Sequence, residues 1–350
     1  MRVLVTGAAG FVGSHLVDRL CEQGVGVVGI DNLDPLVHPS PPDYLRQDVE
    51  YLFEDLRSWQ LSSDYHDVEA IVHLAAVGGV RRAAREPAEV IDNNVVGTAR
   101  LIEQARKLPK LKRLILMSSF SVYGNAYRYQ LADGSSISAS RHQQDIDAGR
   151  FGVYCPRTGQ QGQVCPVSET AALQPLETYG ASKAMQELCL AGFNATNSGA
   201  AQTVVMRASS VVGSRMRWFD DDATIIARIA GWLSQGQQPV VFEDGLQARD
   251  WVSVEDVTEA IYRLLSETDV PSVLNLCSGV PTTLLNACHQ MAAAIGVSSD
   301  PIIKPQARPG DMRDCLGDAG KLTELLGRKP IGFDKAVASM FADSGYQGTD

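Results

Sequence analysis

Tyr179 and Lys183 stand four residues apart in the stretch TYGASKAMQE, residues 178–187. On an α-helix such residues lie on one face, so the phenol and the ammonium would point into the same space. A nearby cation favours phenolate and lowers a tyrosine pKa from about 10 toward neutrality. This tyrosine could take a proton from a substrate hydroxyl and later return it. The spacing alone is only suggestive, but its place on a crossover helix after a serine-ended strand strengthens it.

A pair of hydroxyls ends an apolar run elsewhere in the chain. Residues 113–117 (RLILM) lead directly into Ser118 and Ser119. The carboxyl ends of strands in doubly wound sheets are where ligands bind, so these hydroxyls are candidates for a site. Phe120 and Ser121 follow, and neither can serve as an acid or a base at neutral pH.

Three glycines, Gly7, Gly10 and Gly13, separate the first predicted strand from the first predicted helix. Such glycines permit a tight turn, a close approach of pyrophosphate and close packing of helix on strand. Asp31 ends the second predicted strand, where a carboxylate binds ribose hydroxyls and repels a 2′-phosphate. The residues at 32 and 33 are not basic, so the pattern predicts NAD rather than NADP.

Other strand ends would complete the dinucleotide site. Asp55 and Leu56 could bracket an adenine, and Leu74–Ala76 leave small side chains where the dinucleotide would pass. The cofactor-binding residues predicted from this pattern are Gly7, Gly10, Phe11, Val12, Gly13, Asp31, Asn32, Asp55, Leu56, Leu74, Ala75 and Ala76. No metal site is predicted, because Cys155 and Cys165 supply only half of a zinc site.

These side chains need a particular set of elements to position them. Seven apolar runs alternate with amphipathic stretches; they cover residues 2–7, 25–31, 49–55, 70–76, 113–119, 202–209 and 272–278. Apolar runs in which polar residues do not alternate with apolar ones predict strands of a parallel sheet that is covered on both faces. The predicted class is therefore α/β, a doubly wound (Rossmann) parallel sheet with a smaller C-terminal substrate-binding region.

The predicted domain boundaries lie where this alternation of apolar runs and amphipathic stretches stops. Residues 1–208 are predicted to form the NAD-binding domain, and elements near 246–279 to return to it. Residues 209–340 are predicted to be mainly substrate-binding. An insertion at 125–174, rich in Gln, Gly, Ser and Asp and without helical periodicity, interrupts the first domain. It is either a lid over the substrate site or a passive surface excursion.

Composition excludes several classes of partner. The chain has 350 residues and a net charge of −10, which argues against nucleic acid and anionic membranes as partners. No apolar stretch is long enough to span a bilayer. Seven dispersed cysteines and the lack of a signal-peptide pattern predict reduced thiols and a cytoplasmic location.

Taken together, the motifs resemble a known family. The chain resembles the extended short-chain dehydrogenase/reductases of the NAD-dependent epimerase/dehydratase family. The motifs that carry this resemblance are TGxxGxxG, HLAA, Asn94 in NNVVGT, SS with VYG, YxxxK, RDWVSVEDV and RPGD. The resemblance spans residues 2–328. It is greatest to nucleotide-sugar 4-epimerases of the dTDP-L-rhamnose type, which share DNLDP and an ADG-containing insertion.

The resemblance implies a role for each matching residue. It makes Ser119 the hydroxyl on the reacting oxygen, Tyr179 the base and Lys183 its ribose-binding partner. Asn94 and Ser118 join Tyr179 and Lys183 in the cofactor site. The implied substrate-binding residues are Ser119, Ser209, Ser210, Arg249 and Arg308. Relatives usually have Asn at position 210, so the contact that this residue makes is changed or lost.

The resemblance also implies a homodimer, formed by packing residues 88–108 and 178–197 of two subunits, and a place in carbohydrate biosynthesis. The reaction expected is NAD-dependent 4-epimerisation of a dTDP- or UDP-hexose. A 4,6-dehydratase is disfavoured, since such relatives have Asp-Glu where Phe120 and Ser121 stand here. A ketoreductase or dehydrogenase, and a non-catalytic NAD-binding protein, remain alternatives.

Overall fold

The structure, a computed structural model, describes residues 1–197, 201–219, 222–307 and 312–342. The chain packs into two compact units. The first unit takes residues 1–121, 177–207 and 254–274, and the second takes 122–176, 208–253 and those from 275 onward. By this division the insertion lies in the second unit, and residues 254–274 rejoin the first.

The helices and strands are numbered in chain order over the described residues. The strands are β1 Arg2–Thr6, β2 Gly26–Ile30, β3 Glu50–Leu52, β4 Ala70–His73, β5 Arg113–Ser119, β6 Arg128–Gln130, β7 Ser136–Ser138, β8 Gln163–Val164, β9 Gln202–Ala208, β10 Ser210–Val212, β11 Val240–Phe242, β12 Ala248–Ser253, β13 Val273–Leu276, β14 Pro281–Thr283 and β15 Ile302–Lys304. The α-helices are α1 Phe11–Glu22, α2 Val80–Arg85, α3 Pro87–Ile91, α4 Gly97–Ala105, α5 Gln143–Asp147, α6 Thr178–Thr196, α7 Ile225–Ser234, α8 Val254–Ser266, α9 Leu284–Ala294, α10 Gly320–Leu326 and α11 Phe333–Ala342.

The seven predicted apolar runs all become strands of one sheet, in the order β13-β9-β5-β4-β1-β2-β3. β1 pairs in parallel with both β2 and β4, and β4 pairs in parallel with β5. The chain thus winds outward from β1 in two directions, which confirms the predicted doubly wound α/β class. The order reverses between β1 and β4, so their carboxyl ends flank the crevice where such folds bind ligands.

The predicted helix at 88–108 is divided in three. Between α3 and α4, Asp92–Val96 form a π-helical segment, which adds one residue to a turn. The extra residue lets Asn94 point inward, and its side chain is fully buried. Such single-turn bulges occur frequently at functional sites.

Three small sheets build the second unit, in the orders β10-β12-β14, β11-β15 and β7-β6-β8. The last of these, with α5, is the insertion, for which the sequence shows no periodicity. Its strands are two or three residues long, too short for alternation to be visible. The insertion nevertheless buries Tyr127, Tyr129 and Phe151, so it has a packed interior. Among the residues placed by the structure, no helix combines the length and apolar character that crossing a membrane requires.

Candidate active site

The glycine turn between β1 and α1 is closely packed against neighbouring backbone. Gly7 has φ +71°, and a Cβ on it would lie 2.8 Å from the nitrogen of Ala75. A Cβ on Gly13 would lie 1.9 Å from the Gly7 carbonyl oxygen, so both positions exclude a side chain. Gly10 caps α1 without a side-chain hydrogen bond, and Phe11 and Val12 form its first turn. The uncapped N–H groups of this turn can bind a pyrophosphate.

Asp31, directly after β2, is held beside this turn. It is 9% exposed, and its two carboxylate oxygens accept hydrogen bonds from the Ala9 nitrogen at 3.0 Å and the Leu33 nitrogen at 2.9 Å. Asn32 is exposed, and its side chain accepts a hydrogen bond from the Asp34 nitrogen. A fixed carboxylate next to a glycine turn fits the ribose of NAD.

The other predicted cofactor residues lie along the same carboxyl edge of the sheet. Asp55 pairs with Arg57 at 2.6 Å, which lowers the pKa of its carboxyl group. Leu56 packs in the hydrophobic core of the first unit. After β4, Leu74 and Ala75 are half-buried and Ala76 is exposed.

Asn94 connects the segment after β4 to α6. Its side-chain oxygen accepts a hydrogen bond from the Val77 nitrogen at 2.7 Å, and its amide donates to the Val77 carbonyl at 3.1 Å and to the Ser182 hydroxyl at 2.9 Å. The side chain therefore positions the protein's own backbone.

Ser119, Tyr179 and Lys183 are brought together where β5 ends and α6 begins. The Ser119 hydroxyl and the Tyr179 phenol are hydrogen-bonded to each other. The Lys183 ammonium donates to the Met117 carbonyl of β5 at 2.9 Å. Glu177 caps α6 by accepting hydrogen bonds from the nitrogens of Tyr179 and Gly180, which fixes the first turn. A phenol, a hydroxyl and an amino group thus share one small region.

The protonation of this group differs from the sequence expectation. Burial raises the pKa of Tyr179 to about 12; the hydrogen bond from Ser119 opposes this rise and the Glu177 charge adds to it. Burial also lowers the pKa of Lys183 to about 7, against the pull of Glu187. The predicted lowering of the tyrosine pKa is therefore wrong for the protein alone, where burial is the largest influence on the pKa of Tyr179.

Ser118 hydrogen-bonds to a buried ion pair that was not predicted from the sequence. Its hydroxyl donates to Glu187 at 2.5 Å, and Glu187 pairs with Arg207 of β9 at 2.8 Å. Glu187 lies four residues beyond Lys183 and eight beyond Tyr179, on the same face of α6. A charged residue at that spacing on a buried face was the signal available in the sequence.

A second missed network surrounds His73. Thr98 donates its only hydroxyl hydrogen to the Asn94 carbonyl at 2.6 Å, so it accepts from the Nε2 of His73 at 2.8 Å. The Nδ1 of His73 then accepts from the Thr6 hydroxyl at 2.7 Å. Burial lowers the pKa of His73 to about 3, which keeps it neutral. Gln186 of α6 also donates to Thr98, so this network anchors the helix that carries Tyr179 and Lys183.

Ser119 lies in the first unit, whereas the predicted substrate residues Ser209, Ser210 and Arg249 belong to the second unit. The Ser209 hydroxyl oxygen is buried and makes no hydrogen bond to any residue that the structure describes. Ser210 begins β10 and is half-buried. The Arg249 guanidinium donates to the Arg313 carbonyl at 3.0 Å and to the Met312 carbonyl at 3.1 Å. Arg308 lies outside the described residues.

Comparison with known proteins decides the family. The sequence profile of the NAD-dependent epimerase/dehydratase family matches residues 3–144 and 152–277. The chain belongs to this family. The membership predicted from the motifs and the dependence on NAD are thereby confirmed.

Curated members of the family align with almost the whole chain. A dTDP-L-rhamnose 4-epimerase from Burkholderia thailandensis is 29% identical, over 94% of this chain and 90% of its own. A UDP-glucose 4-epimerase from Mycolicibacterium smegmatis is 30% identical, over 94% of both. The structure of MoeE5 in complex with UDP-glucuronic acid and NAD is 27% identical, covers 97% of both chains and has a TM-score of 0.76.

Proposed function

We propose that this chain is an NAD-dependent nucleotide-sugar 4-epimerase acting on a dTDP- or UDP-hexose. The observation that carries the proposal is the grouping of Ser119, Tyr179 and Lys183 with no acid pair after Ser119. Both curated relatives described above are 4-epimerases of nucleotide sugars. We assign NAD binding to the first unit and nucleotide-sugar binding to the second.

The proposed reaction assigns one task to each side chain. Tyr179 removes the proton of the C4 hydroxyl and later returns it, and Ser119 hydrogen-bonds the same oxygen. Bound NAD supplies the acceptor and donor of the C4 hydride. Lys183, anchored on β5, holds its ammonium beside the phenol. The 4-keto sugar turns between the two half-reactions, so the hydrogen returns to its other face.

Two alternative reactions make other demands, one on the side chains at the end of β5 and one on the cofactor. Elimination of water from C5 and C6 needs an added acid and base, and some relatives are dTDP-glucose 4,6-dehydratases. Here Phe120 is buried and apolar and Ser121 is a hydroxyl, so neither supplies that chemistry. A net reductase would consume reduced cofactor, whereas an epimerase regenerates NAD in each cycle.

The test is product analysis by NMR after incubation with UDP- and dTDP-hexoses. The proposal expects the C4 epimer without net consumption of cofactor. Steady formation of a 4-keto-6-deoxy sugar would identify a dehydratase instead, and consumption of added NADH in proportion to product would identify a reductase.

The variant Tyr179→Phe should lower kcat by about 10²–10⁴-fold, the usual contribution of a general acid–base group. Tyr262→Phe on α8 removes the same atom from a tyrosine outside the site and should leave kcat unchanged. Equal rates for wild type and Tyr179→Phe would exclude the assigned base.

We further propose a homodimer and a cytoplasmic location. The dimer is supported by the exposed apolar side chains of Met185, Leu188 and Val96, which lie on α6 and the adjoining π-helical segment. The location is supported by seven cysteines that are all free thiols, as in a reducing compartment.

A further inference from the structure

The segments that follow β2 and β4 in the first unit are joined by an ion pair. Arg82 of α2, the helix after β4, donates to the carboxylate of Asp34, four residues beyond the end of β2, at 2.7 Å. The Arg82 side chain is 9% exposed and the Asp34 side chain 19%, so solvent screens their attraction weakly. Arg82 also donates to Glu86, one helical turn further on, at 3.1 Å. The pair therefore ties together two segments that lie 48 residues apart in the sequence.

The strand order places this pair across the cofactor crevice. β1 lies between β2 and β4, and the glycine turn follows its carboxyl end. Neighbouring strands are about 4.8 Å apart, so a contact between the segments after β2 and β4 bridges about 10 Å and passes the carboxyl end of β1. A pyrophosphate bound at the glycine turn occupies that same end of β1.

The loop after β2, residues 32–44, is also attached to the glycine turn itself. Tyr44, at the far end of this loop, donates its hydroxyl to the Ala9 carbonyl at 2.9 Å. Asp31, immediately before the loop, accepts from the Ala9 nitrogen at 3.0 Å. The loop is thus fixed to the glycine turn at both ends, and Asp34 fixes it to α2 on the other side of β1.

The backbone of this loop is strained at one residue. Leu33 has φ +47°, a region that residues with large side chains rarely adopt. It separates two carboxylates with different partners, since Asp31 accepts from Ala9 and Asp34 accepts from Arg82. Such strain persists only where the surrounding contacts fix the backbone, and here they do so on both sides of Leu33.

We propose that the pair of Asp34 and Arg82 is a latch that must open whenever the dinucleotide enters or leaves its site. The inference rests on the assignment of NAD to the first unit, and it adds how the cofactor is retained. Retention matters to an epimerase, because the hydride removed in the first half of the reaction returns in the second half. An enzyme that released reduced cofactor between the two halves would leave its 4-keto sugar unreduced.

A latch made only of protein groups has a distinctive effect on binding kinetics. The pair joins two of the protein's own side chains, so it opposes entry and exit of the dinucleotide by the same factor. Its loss therefore raises both rate constants and leaves the dissociation constant unchanged, because only a differential interaction with the ligand shifts an equilibrium. Loss of a side chain that binds the cofactor directly would instead raise the dissociation constant.

The test measures binding and release of NADH by stopped-flow fluorescence, with release followed after excess NAD is added to the NADH-loaded protein. Asp34→Asn and Arg82→Met each remove one charge at nearly constant size. Each should raise the association and dissociation rate constants about 10- to 150-fold, the value of one hydrogen bond to a charged group. The dissociation constant for NADH, measured by calorimetry, should stay within about threefold of wild type.

Two further variants serve as controls. Arg85→Met makes the same substitution at an exposed arginine of α2 and should leave both rate constants as in wild type. The double variant Asp34→Asn/Arg82→Met should match the faster single variant, because both substitutions remove one shared interaction. Asp34→Asn keeps the side-chain oxygen that accepts from the Leu36 nitrogen, so it tests the latch even if Arg82→Met does not fold. Unchanged rate constants in Asp34→Asn, or a raised dissociation constant with an unchanged association rate, would overturn the latch.

Product analysis separates this inference from the proposed reaction. Formation of the C4 epimer by a protein whose NADH rate constants respond to neither substitution would refute the latch alone. Faster NADH exchange in both variants of a protein that forms no C4 epimer would refute the epimerase and leave the latch standing.

Discussion

Lys183 and Tyr179 lie on one face of α6, yet burial shifts their pKa values in opposite directions. A buried lysine loses its charge more easily and a buried tyrosine gains one less easily, because both neutral forms need less hydration. Their ordinary pKa values, about 10.4 and 10, are nearly equal. In the protein alone they are separated, at about 7 and about 12. The tyrosine is consequently protonated at neutral pH until ligands change its surroundings.

This shift makes the stability of the NAD-free protein depend on pH. Between pH 7 and about 10 the unfolded chain holds the Lys183 proton and the folded chain does not. The free energy of unfolding should therefore rise with pH by about 1.4 kcal/mol per unit from this group. Lys183→Met should remove that slope and raise stability most at pH 7, as measured by urea unfolding across this range.

Lys110→Met provides the control, since that lysine is exposed. It should leave the slope as in wild type. If Lys183→Met and Lys110→Met show the same dependence of stability on pH, burial does not lower the pKa of Lys183.

At the scale of elements, the turn from β1 into α1 is the least tolerant segment of the cofactor site. A methyl group on Gly13 would overlap the Gly7 carbonyl, which is backbone and cannot move aside cheaply. Gly13→Ala should therefore separate α1 from β1 and weaken NAD binding by at least tenfold, measured by calorimetry.

Gly192→Ala supplies the comparison within α6. A methyl group there meets nothing within 4 Å, so this variant should keep its NAD affinity and gain up to about 1 kcal/mol in stability. Equal NAD affinity in Gly13→Ala and wild type would contradict the role given to the turn.

Strands and helices could be predicted from the sequence where the pattern of apolar and polar residues extended over a whole element. The parallel strands, of three to seven residues, were predictable because each lies in an apolar run of six to eight residues that stands out against amphipathic helices. The strands of the insertion were not, since β8 has only two residues. The π-helical segment was not predicted either, because one extra residue in a turn barely changes the helical pattern of apolar residues.

The environment of a side chain was harder to predict than which residues belong to the site. Which residues gather around Tyr179 follows from motif spacing, but its pKa depends on burial, which no spacing reveals. In the same way, RDWV indicated an arginine at 249 without showing that it donates to the carbonyls of Met312 and Arg313. Hydrogen bonds to backbone from distant parts of the chain leave no local pattern.

At the scale of the whole molecule, the exposed apolar face of α6 predicts self-association. Leu188 is 66% exposed in the single chain, which is unusual for leucine on a long helix unless a partner covers it. Leu188→Asp should convert a dimer to a monomer in analytical ultracentrifugation, because a carboxylate would be buried without a partner.

Leu246→Asp introduces the same charge at a second exposed leucine, in the second unit. It should leave the dimer intact. A wild-type chain that is monomeric at micromolar concentration would refute the dimer itself.

The alternation of the two units along the chain also bears on how the protein is made. The chain passes between the units five times, and the outermost strand of the main sheet, β13, ends at Leu276. The first five strands of that sheet are complete by Ser119. At about 5–20 residues per second, the ribosome needs about 10 to 30 seconds more to supply the rest. Until β9 is complete at Ala208, β5 has an unpaired edge of seven residues, and a nascent chain in this state is a natural client for chaperones.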